Sequence, residues 1–321
     1  MISAGIIGGA GYTGGELLRL LLNHPEVELS FVQSQSQAGK PVTSVHADLV
    51  GDVEMNFSSD ITTATDVLFL CQGHGKAKAF FDKHDLPSTT KVIDLSHDFR
   101  IKNNGHPFIY GLPELQKVAI QGADHIANPG CFATAIILGL LPLAHQGLLQ
   151  TPAHIQALTG ATGAGQSLSP TSHFSWRNNN VSVYKPFQHQ HLAEIGQSLA
   201  QANKAPIPTL NFIPVRGNFS RGIFASMYTE TDITQSEAQS LYQDFYKEHP
   251  FTFVTSHNPS LKEVVNTNKC LIHLGKHGHQ LLIVSMIDNL LKGAVGQAVQ
   301  NMNLMFGLDE TSGLKLKAIG F

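Results

Sequence analysis

A strand, a glycine-rich turn and a helix follow one another within the first 23 residues, and this order constrains the fold more than any other feature of the chain. Ile2 to Gly8 is a short apolar strand. Gly14 to Asn23 is a leucine-rich helix, and the His24-Pro25 dipeptide ends it. A strand that enters a helix through glycines is the usual opening of a nucleotide-binding α/β domain.

The turn itself offers two glycine spacings. Gly9, Gly11 and Gly14 form G-x-G-x-x-G, and Gly8, Gly11 and Gly14 form an equally good G-x-x-G-x-x-G. Either spacing lets the backbone approach a pyrophosphate at a helix N-terminus. The turn therefore predicts dinucleotide binding; the alternative is a tight strand-to-helix turn without a ligand.

The first 130 residues continue the alternation of strand and helix. Val27 to Gln33 is a second strand, and Asp66 to Cys71 and Lys91 to Leu95 are continuous apolar runs, as expected for strands covered on both faces. This pattern predicts a Rossmann-type α/β fold with a doubly wound parallel sheet. Ligands bind at the carboxyl ends of such strands, so we expect the cofactor there.

The pattern changes after residue 131, where strands outnumber helices. We expect helices at His191 to Ala202 and at Ser236 to Glu248, the second opened by the capping box Thr234-Gln-Ser-Glu237. These elements predict a mixed-sheet α+β domain with helices on one face, and a last helix, Asn289 to Phe306, long enough to pack back onto the first domain. The strand-like runs are Ala153 to Leu158, Ile207 to Val215, Gly222 to Glu230, Phe251 to Val254, Lys269 to Leu274 and Gln280 to Asp288.

Composition narrows the class of partner. Apolar residues make up 42% of the chain, charged residues only 14%, and the formal charge is -3 without a Lys/Arg run. This balance favours a small-molecule partner over nucleic acid or an anionic membrane. Three widely separated cysteines match neither a disulfide framework nor a zinc motif, and the N-terminus lacks a secretion signal, so we expect a cytoplasmic protein.

Cys131 is the candidate nucleophile. It stands where Pro129-Gly130 meets the almost wholly apolar helix Phe132 to Leu141. The unpaired N–H groups and the positive dipole end of a helix start favour a thiolate, which makes the thiol reactive. The alternative is a small buried hydrophobe, which is the interpretation we give to Cys71 and Cys270.

The end of the second strand bears on the choice of cofactor. An acidic residue there would select the free 2′-hydroxyl of NAD. Gln33 to Gln37 contains no acid and no arginine, while Ser34 and Ser36 can donate hydrogen bonds to a phosphate. By elimination the segment favours NADP.

Histidines and arginines supply the remaining polar candidates. His189 and His191 would share a face of an extended segment, which permits a metal site, but we find no third ligand and predict no metal. A histidine with a near-neutral pKa acting as acid/base partner of Cys131 is the better interpretation. Arg216 and Arg221 are candidates for holding an anion, and His74 for lining the cofactor site; each is otherwise a surface side chain.

Together these residues resemble the N-acetyl-gamma-glutamyl-phosphate reductase family, a relative of the aspartate-semialdehyde dehydrogenases. The resemblance runs nearly end to end, and its specificity comes from the number and order of the motifs. They are Gly8 to Leu17, Asp94 to Arg100, Tyr110 to Leu115, Asn128 to Cys131, Thr162 to Gly165, His189 to Ile195, Ser220 to Ile223, Ile287 to Ala294 and Gln297 to Asn303.

The resemblance implies a domain division and a set of roles. It implies an NADP-binding Rossmann domain of residues 1–130 with 289–321, and a catalytic, substrate and oligomerisation domain of residues 131–288 in a homodimer or homotetramer. Cys131 would be the nucleophile that forms a thioester with an acyl phosphate, and His189, as imidazolium, the acid/base. Substrate contacts are expected from Arg221, Asn128 and Glu194. Cofactor contacts are expected from Gly8, Gly11, Tyr12, Thr13, Gly14, Ser34, Ser36, Gly163 and Asn289.

Some positions depart from the family pattern. Gln35, Gln166 and Gln190 stand where the family usually has arginine, while Gly73, Ala133 and Ala193 stand where it usually has proline. None of these removes a reacting group. Two alternatives stay open: a reductase of a related acyl phosphate, of aspartyl or aminoadipyl type, and a non-catalytic dinucleotide sensor.

Overall fold

The computed structural model describes residues 1–62, 64–103, 105–203 and 206–320. They form two compact units, which we describe separately. The first unit is Met1–Pro129 with Ala294–Lys315, and the second is Gly130–Gly293 with Leu316–Phe321. The units therefore divide the segment 289–321, which the sequence analysis kept together.

The first unit is built on a parallel sheet of six strands in the order β2-β1-β3-β4-β6-β5. Every neighbouring pair is parallel, and β3 and the second half of β1 are fully buried. The predicted doubly wound α/β fold is confirmed. The two short strands β5 and β6 were not predicted, because two or three residues carry no periodicity. The strands are β1 (Ile2–Ile7), β2 (Val27–Gln33), β3 (Val67–Leu70), β4 (Lys91–Asp94), β5 (Ile109–Tyr110) and β6 (His125–Ala127).

Three helices follow these strands: α1 (Tyr12–Leu21), α2 (Lys76–Phe81) and α3 (Pro113–Gln121). Helix α1 begins two residues earlier than predicted, with Gly11 as its N-cap. Its leucines lie on one face and are buried, as the spacing of apolar residues requires.

The second unit contains a mixed sheet of seven strands in the order β11-β12-β13-β10-β7-β9-β8. The β7–β9 and β11–β12 pairs are parallel and the other four are antiparallel, which confirms the predicted mixed sheet. The helices and strands are α4 (Cys131–His145), β7 (Ala153–Thr159), α5 (Phe174–Arg177), β8 (Ser182–Val183), α6 (His191–Ala202), β9 (Leu210–Arg216), β10 (Ile223–Glu230), α7 (Gln235–Tyr246), β11 (Thr252–Thr255), β12 (Cys270–His277) and β13 (Gln280–Ile287).

Helix α4 is the central element of this unit, packed against β10, β12, β13, α6 and α7. It is buried from Phe132 to Ala144, which explains why its sequence is apolar on every side. Pro142 lacks the N–H that the Leu138 carbonyl would otherwise accept from. The Tyr246 hydroxyl donates to that carbonyl instead, at 2.5 Å, so the proline leaves no buried acceptor unsatisfied.

The predicted last helix is interrupted. Leu291–Val295 is a π-helical turn, and α8 (Gly296–Met305) follows it. Within the first unit α8 packs against α1 and α3. Its buried amides hold neighbouring segments: Asn301 donates to the Gly111 carbonyl and Gln300 to Glu310. No helix in the described part of the chain has both the length and the hydropathy needed to span a membrane.

Candidate active site

In the glycine-rich turn of the first unit, the structural constraint differs from one glycine to the next. Gly8 has a φ of +82°, which L side chains rarely adopt. A Cβ on Gly9 would lie 2.2 Å from Val32 Cγ1, and one on Gly14 would lie 2.4 Å from the Gly9 carbonyl oxygen. Gly8, Gly9 and Gly14 are therefore needed for the turn and its packing.

Gly11 is different, because a Cβ there would meet only the Gly8 oxygen, 4.0 Å away. No atom in the described part of the chain requires a glycine at the start of α1. A glycine that the fold does not need, at a helix N-terminus beside a parallel sheet, fits the close approach of a pyrophosphate. Gly11, within the Gly9-x-Gly11-x-x-Gly14 spacing, is therefore the feature of this turn that favours dinucleotide binding.

The end of β2 lies beside this turn. The N–H groups of Gly8 and Gly9 donate to the Gln33 carbonyl at 3.0 and 2.9 Å. Ser34 follows and is buried, whereas Ser36 is exposed. The structure thus brings the predicted glycines and the predicted serines together at the carboxyl edge of one sheet.

His46 contacts the glycine-rich turn, and the sequence analysis did not identify it. Its Nε2 donates to the Gly9 carbonyl at 2.8 Å, and its ring occupies the space where Gly15 would carry a Cβ. The segment around His46 has no strong periodicity, so no local pattern indicated this contact.

His74, a sequence candidate for the cofactor site, lies at the same edge in an exposed loop after β3. Its ring stacks on that of His97, with centroids 4.3 Å apart, and its Nδ1 accepts from the His97 N–H. Among the described residues there is no group of three or more side chains placed to bind a metal ion.

In the second unit, Cys131 is the first residue of α4 and is partly exposed. Cys71 and Cys270 are buried, as predicted, and burial raises the pKa of Cys71 to about 12. The N-cap residue Gly130 is held from both sides: its N–H donates to Glu194 at 3.0 Å, and its carbonyl accepts from the Thr134 N–H at 2.8 Å. Cys131 therefore begins a helix whose first turn is fixed in place.

His189 lies next to this helix start. Its ring contacts Phe132, the residue after Cys131, with centroids 5.5 Å apart, and also Tyr184 and Phe212. Its Nδ1 accepts from the His191 N–H at 3.2 Å, so the neutral ring carries its proton on Nε2.

Burial lowers the pKa of His189 to about 4, helped by the positive charges of Lys185 and Arg216 and opposed by Glu194. The sequence analysis expected a near-neutral pKa. That expectation is wrong, because with a pKa of about 4 His189 is neutral at pH 7 in the resting protein. The apolar rings around it were not visible in the motif.

Tyr184 is a second residue that the sequence analysis missed. Burial raises the pKa of its phenol to about 12, and the electrostatic interaction with the Cys131 side chain acts in the same direction. The Arg216 guanidinium lies over its ring, 4.8 Å from the centroid, and bonds to the hydroxyl. Tyr184 thus brings Arg216, a sequence candidate, to the neighbourhood of Cys131.

Three loops of the second unit meet around Asn289. Its amide oxygen accepts from the Gly222 N–H at 2.7 Å, and its amide nitrogen donates to the Thr162 hydroxyl at 3.0 Å. Gly163, next to Thr162, is exposed. Both ends of the Asn289 amide are therefore used in joining the loops. Arg221, beside Gly222, donates from Nε to Asp288 at 3.1 Å.

Asn128 belongs to the first unit and is 1% exposed. Its amide nitrogen donates to the Ala294 carbonyl at 2.9 Å, and its amide oxygen accepts from Asn301 at 3.1 Å. Its own carbonyl accepts from Arg100 Nε at 2.9 Å. The side chain for which we predicted a substrate contact is therefore engaged within the protein.

Two domain families match the chain. The semialdehyde dehydrogenase NAD binding domain matches residues 3–123, and the semialdehyde dehydrogenase dimerisation domain matches residues 131–289. Together they cover most of the chain and define its class as that of the semialdehyde dehydrogenases.

Curated relatives narrow this class. N-acetyl-gamma-glutamyl-phosphate reductase of Parabacteroides distasonis is 58% identical over 322 residues, which is 100% of both chains. The enzyme of the same name from Christiangramia forsetii is 59% identical over 318 residues, 99% of both. The chain belongs to the N-acetyl-gamma-glutamyl-phosphate reductase family, so the resemblance in its motifs is confirmed.

Solved structures agree on the fold. Aspartate semialdehyde dehydrogenase II of Vibrio cholerae matches with a TM-score of 0.73, 16% identity and coverage of 96% of this chain and 98% of that one. The aspartate semialdehyde dehydrogenase of Candida albicans, solved with NADP, matches with a TM-score of 0.68, 14% identity and coverage of 95% and 98%.

Proposed function

We propose that this chain catalyses the NADPH-dependent reduction of N-acetyl-glutamyl 5-phosphate to N-acetyl-glutamate 5-semialdehyde and phosphate. The observation that carries the proposal is a partly exposed cysteine at the first residue of a buried helix, with a buried histidine beside it. We infer the identity of the substrate from the name of the relatives that match over the full length of the chain, N-acetyl-gamma-glutamyl-phosphate reductase.

Cys131 is the nucleophile. Its thiolate attacks the acyl carbon, a C–S bond forms, the bond to the phosphate oxygen breaks, and phosphate leaves. The resulting thioester accepts a hydride at the same carbon, and the thiohemiacetal oxyanion then collapses with loss of the Cys131 thiolate. Bound NADPH supplies that hydride.

His189 moves the proton. In the neutral resting ring Nδ1 is the one basic nitrogen, so we propose that it exchanges the His191 N–H for the thiol proton of Cys131. The imidazolium formed then gives its Nε2 proton to the departing phosphate. A dianionic substrate nearby raises the pKa of the imidazole and so favours this transient imidazolium. The first N–H groups of α4 can stabilise the developing oxyanion.

The cofactor is held by the first unit. Gly8, Gly11 and Gly14 would hold the pyrophosphate of a bound NADP, with Tyr12 and Thr13 at the start of α1, and Ser34 and Ser36 would hold its 2′-phosphate. Within the second unit, Gly163 is exposed, and Asn289 holds the loop that carries it through its bond to Thr162.

Substrate anions are bound by Arg221, with Arg216 as a second cation near Cys131. We assign Glu194 and Asn128 to fixing the segments on either side of Pro129, because their side chains are engaged there. This assignment differs from the substrate contacts that the resemblance implied.

We further propose a homo-oligomer, dimer or tetramer, formed through the second unit, whose family is described as a dimerisation domain. The compartment we propose is the cytoplasm, since all three cysteines are free.

The test is the reverse reaction. Purified protein with N-acetyl-glutamate 5-semialdehyde, phosphate and NADP should form NADPH, and formation should stop when phosphate is omitted. Aspartate semialdehyde is the matched substrate control and should react at least tenfold more slowly in kcat/KM. Faster turnover of aspartate semialdehyde would identify a different acyl-phosphate reductase. Binding of NADP without turnover of either aldehyde would identify a dinucleotide sensor.

A further inference from the structure

Asp288 follows β13 directly and is fully buried. Its Oδ2 accepts from Arg221 Nε at 3.1 Å and from the Asn266 N–H at 2.7 Å. Its Oδ1 accepts from the N–H groups of Leu290 and Leu291 at 2.8 and 3.2 Å. Four donors thus converge on one buried carboxylate, which is the environment that such a group needs.

The backbone of the same residue reaches the nucleophile. The Asp288 carbonyl accepts from the Gly293 N–H at 2.9 Å, a bond that spans five residues and closes the π-helical turn. A Cβ on Gly293 would lie 2.8 Å from Cys131 Cβ and 3.2 Å from the Asp288 oxygen. The turn that Asp288 organises therefore packs directly on Cys131.

We propose that Asp288 is a positioning residue that sets the orientation of Arg221 and the placement of Cys131 through a single buried carboxylate. One oxygen holds the substrate-binding arginine, and the other oxygen with the main chain holds the turn against the nucleophile. The role of Arg221 in substrate binding rests on the proposed function; the contact between the turn and Cys131 does not.

The physical argument predicts what Asp288→Asn does. The amide has one acceptor and one donor end, so in either orientation two N–H donors face another donor. An amide oxygen is also a weaker acceptor for a guanidinium than a carboxylate is, so Arg221 is held less firmly even when the oxygen faces it. Substrate binding through Arg221 should suffer in both cases.

A double-mutant cycle tests the first half of the proposal. Asp288→Asn should raise KM for N-acetyl-glutamate 5-semialdehyde about tenfold, with KM for NADP within twofold of the wild-type value. In an Arg221→Ala background the same substitution should change that KM less than threefold, because the arginine it positions is absent. Asp232→Asn, at a side chain that is 96% exposed, is the matched control and should change nothing. An equal effect of Asp288→Asn in both backgrounds would overturn the proposed coupling to Arg221.

The second half is tested at Cys131, with a readout that needs no substrate. Gly293→Ala should slow iodoacetamide modification of Cys131, followed on its peptide by mass spectrometry, at least fivefold. Gly122→Ala, where a Cβ meets open space, is the control and should leave the rate unchanged. An unchanged rate in Gly293→Ala overturns this half, and the measurement stands even when Asp288→Asn does not fold. Wild-type protein without phosphate-dependent turnover would overturn the proposed function alone.

Discussion

The glycine turn of the first unit and the cysteine site of the second unit are built in opposite ways. The turn is local: Gly8, Gly9, Gly11 and Gly14 lie within seven residues and meet one neighbouring strand end through the Gln33 carbonyl. The cysteine site is assembled from segments far apart in the chain, and two buried carboxylates, Glu194 and Asp288, hold the pieces.

This difference has a consequence for substitutions. The turn depends on backbone geometry, so a substitution there acts through the space that its Cβ needs. The cysteine site depends on side-chain protonation and hydrogen bonding. Isosteric substitutions that move one proton or one acceptor should therefore have large effects on activity.

The largest effect is expected at the nucleophile. Cys131→Ser should lower kcat by about 10³-fold or more, because an alkoxide is far harder to generate than a thiolate, while NADP binding is retained. Steady-state kinetics and NADP titration by fluorescence measure the two separately.

A covalent adduct sharpens this prediction. Wild-type protein incubated with the acyl phosphate, without reduced cofactor, should carry the acyl group on the peptide that contains Cys131. Recovery of the adduct on Cys71 or Cys270, or near-normal activity of the serine variant, would contradict the assignment of the nucleophile.

His189 should show the next largest effect. His189→Asn removes the proton acceptor beside α4 and should lower kcat by about 10²-fold. His191→Asn is the matched control and should lower kcat less, because we assign no proton transfer to His191, whose Nε2 lies 3.7 Å from a Glu194 carboxylate oxygen. The opposite ranking would exchange the roles of the two histidines.

The pH profile follows from the His189 pKa of about 4. The neutral form that accepts a proton is lost only as pH falls through the folded-state pKa. The acidic limb of kcat/KM that belongs to His189 should therefore lie near pH 4, well below the ordinary value of about 6.5. That limb should be absent in His189→Asn; a limb near pH 6.5 in the wild type that the substitution removes would contradict the low pKa.

A smaller effect is expected in the glycine turn. Gly11→Ala places a Cβ in open space, so thermal stability should stay within about 2 °C while Kd for NADP rises about tenfold. Gly14→Ala provides the contrast, because its Cβ would clash with the Gly9 backbone at 2.4 Å and should lower Tm. Unchanged NADP affinity in Gly11→Ala would show that the turn does not bind the cofactor.

The smallest effect is the choice of cofactor. NADP should be preferred over NAD by several-fold in kcat/KM, since Ser34 and Ser36 can donate to a 2′-phosphate and no acid lies in Gln33 to Gln37. Equal or better use of NAD would show that these serines do not read the phosphate.

Much of the fold was predictable because its signals are local. Apolar runs identified β1, β3 and β4, and the Thr234 to Glu237 capping box marked the start of α7. The short strands β5, β6 and β8 were missed, because their pairing partners rather than their own residues make them strands. The break in the last helix was missed as well, since nothing in its spacing indicates a π-helical turn.

The sequence by itself singled out the residues that we propose for the chemistry: a cysteine at a helix start, a histidine motif and glycines spaced for a strand-to-helix turn. Each is a pattern within a few residues, where backbone geometry and helix capping act. Only the tertiary structure decided that His189 is neutral, that Asn128 and Glu194 are engaged within the protein, and that Asp288 holds both Arg221 and the turn against Cys131. The physical reason is that burial and long-range hydrogen bonds set protonation and orientation, and these depend on residues that are distant in the chain.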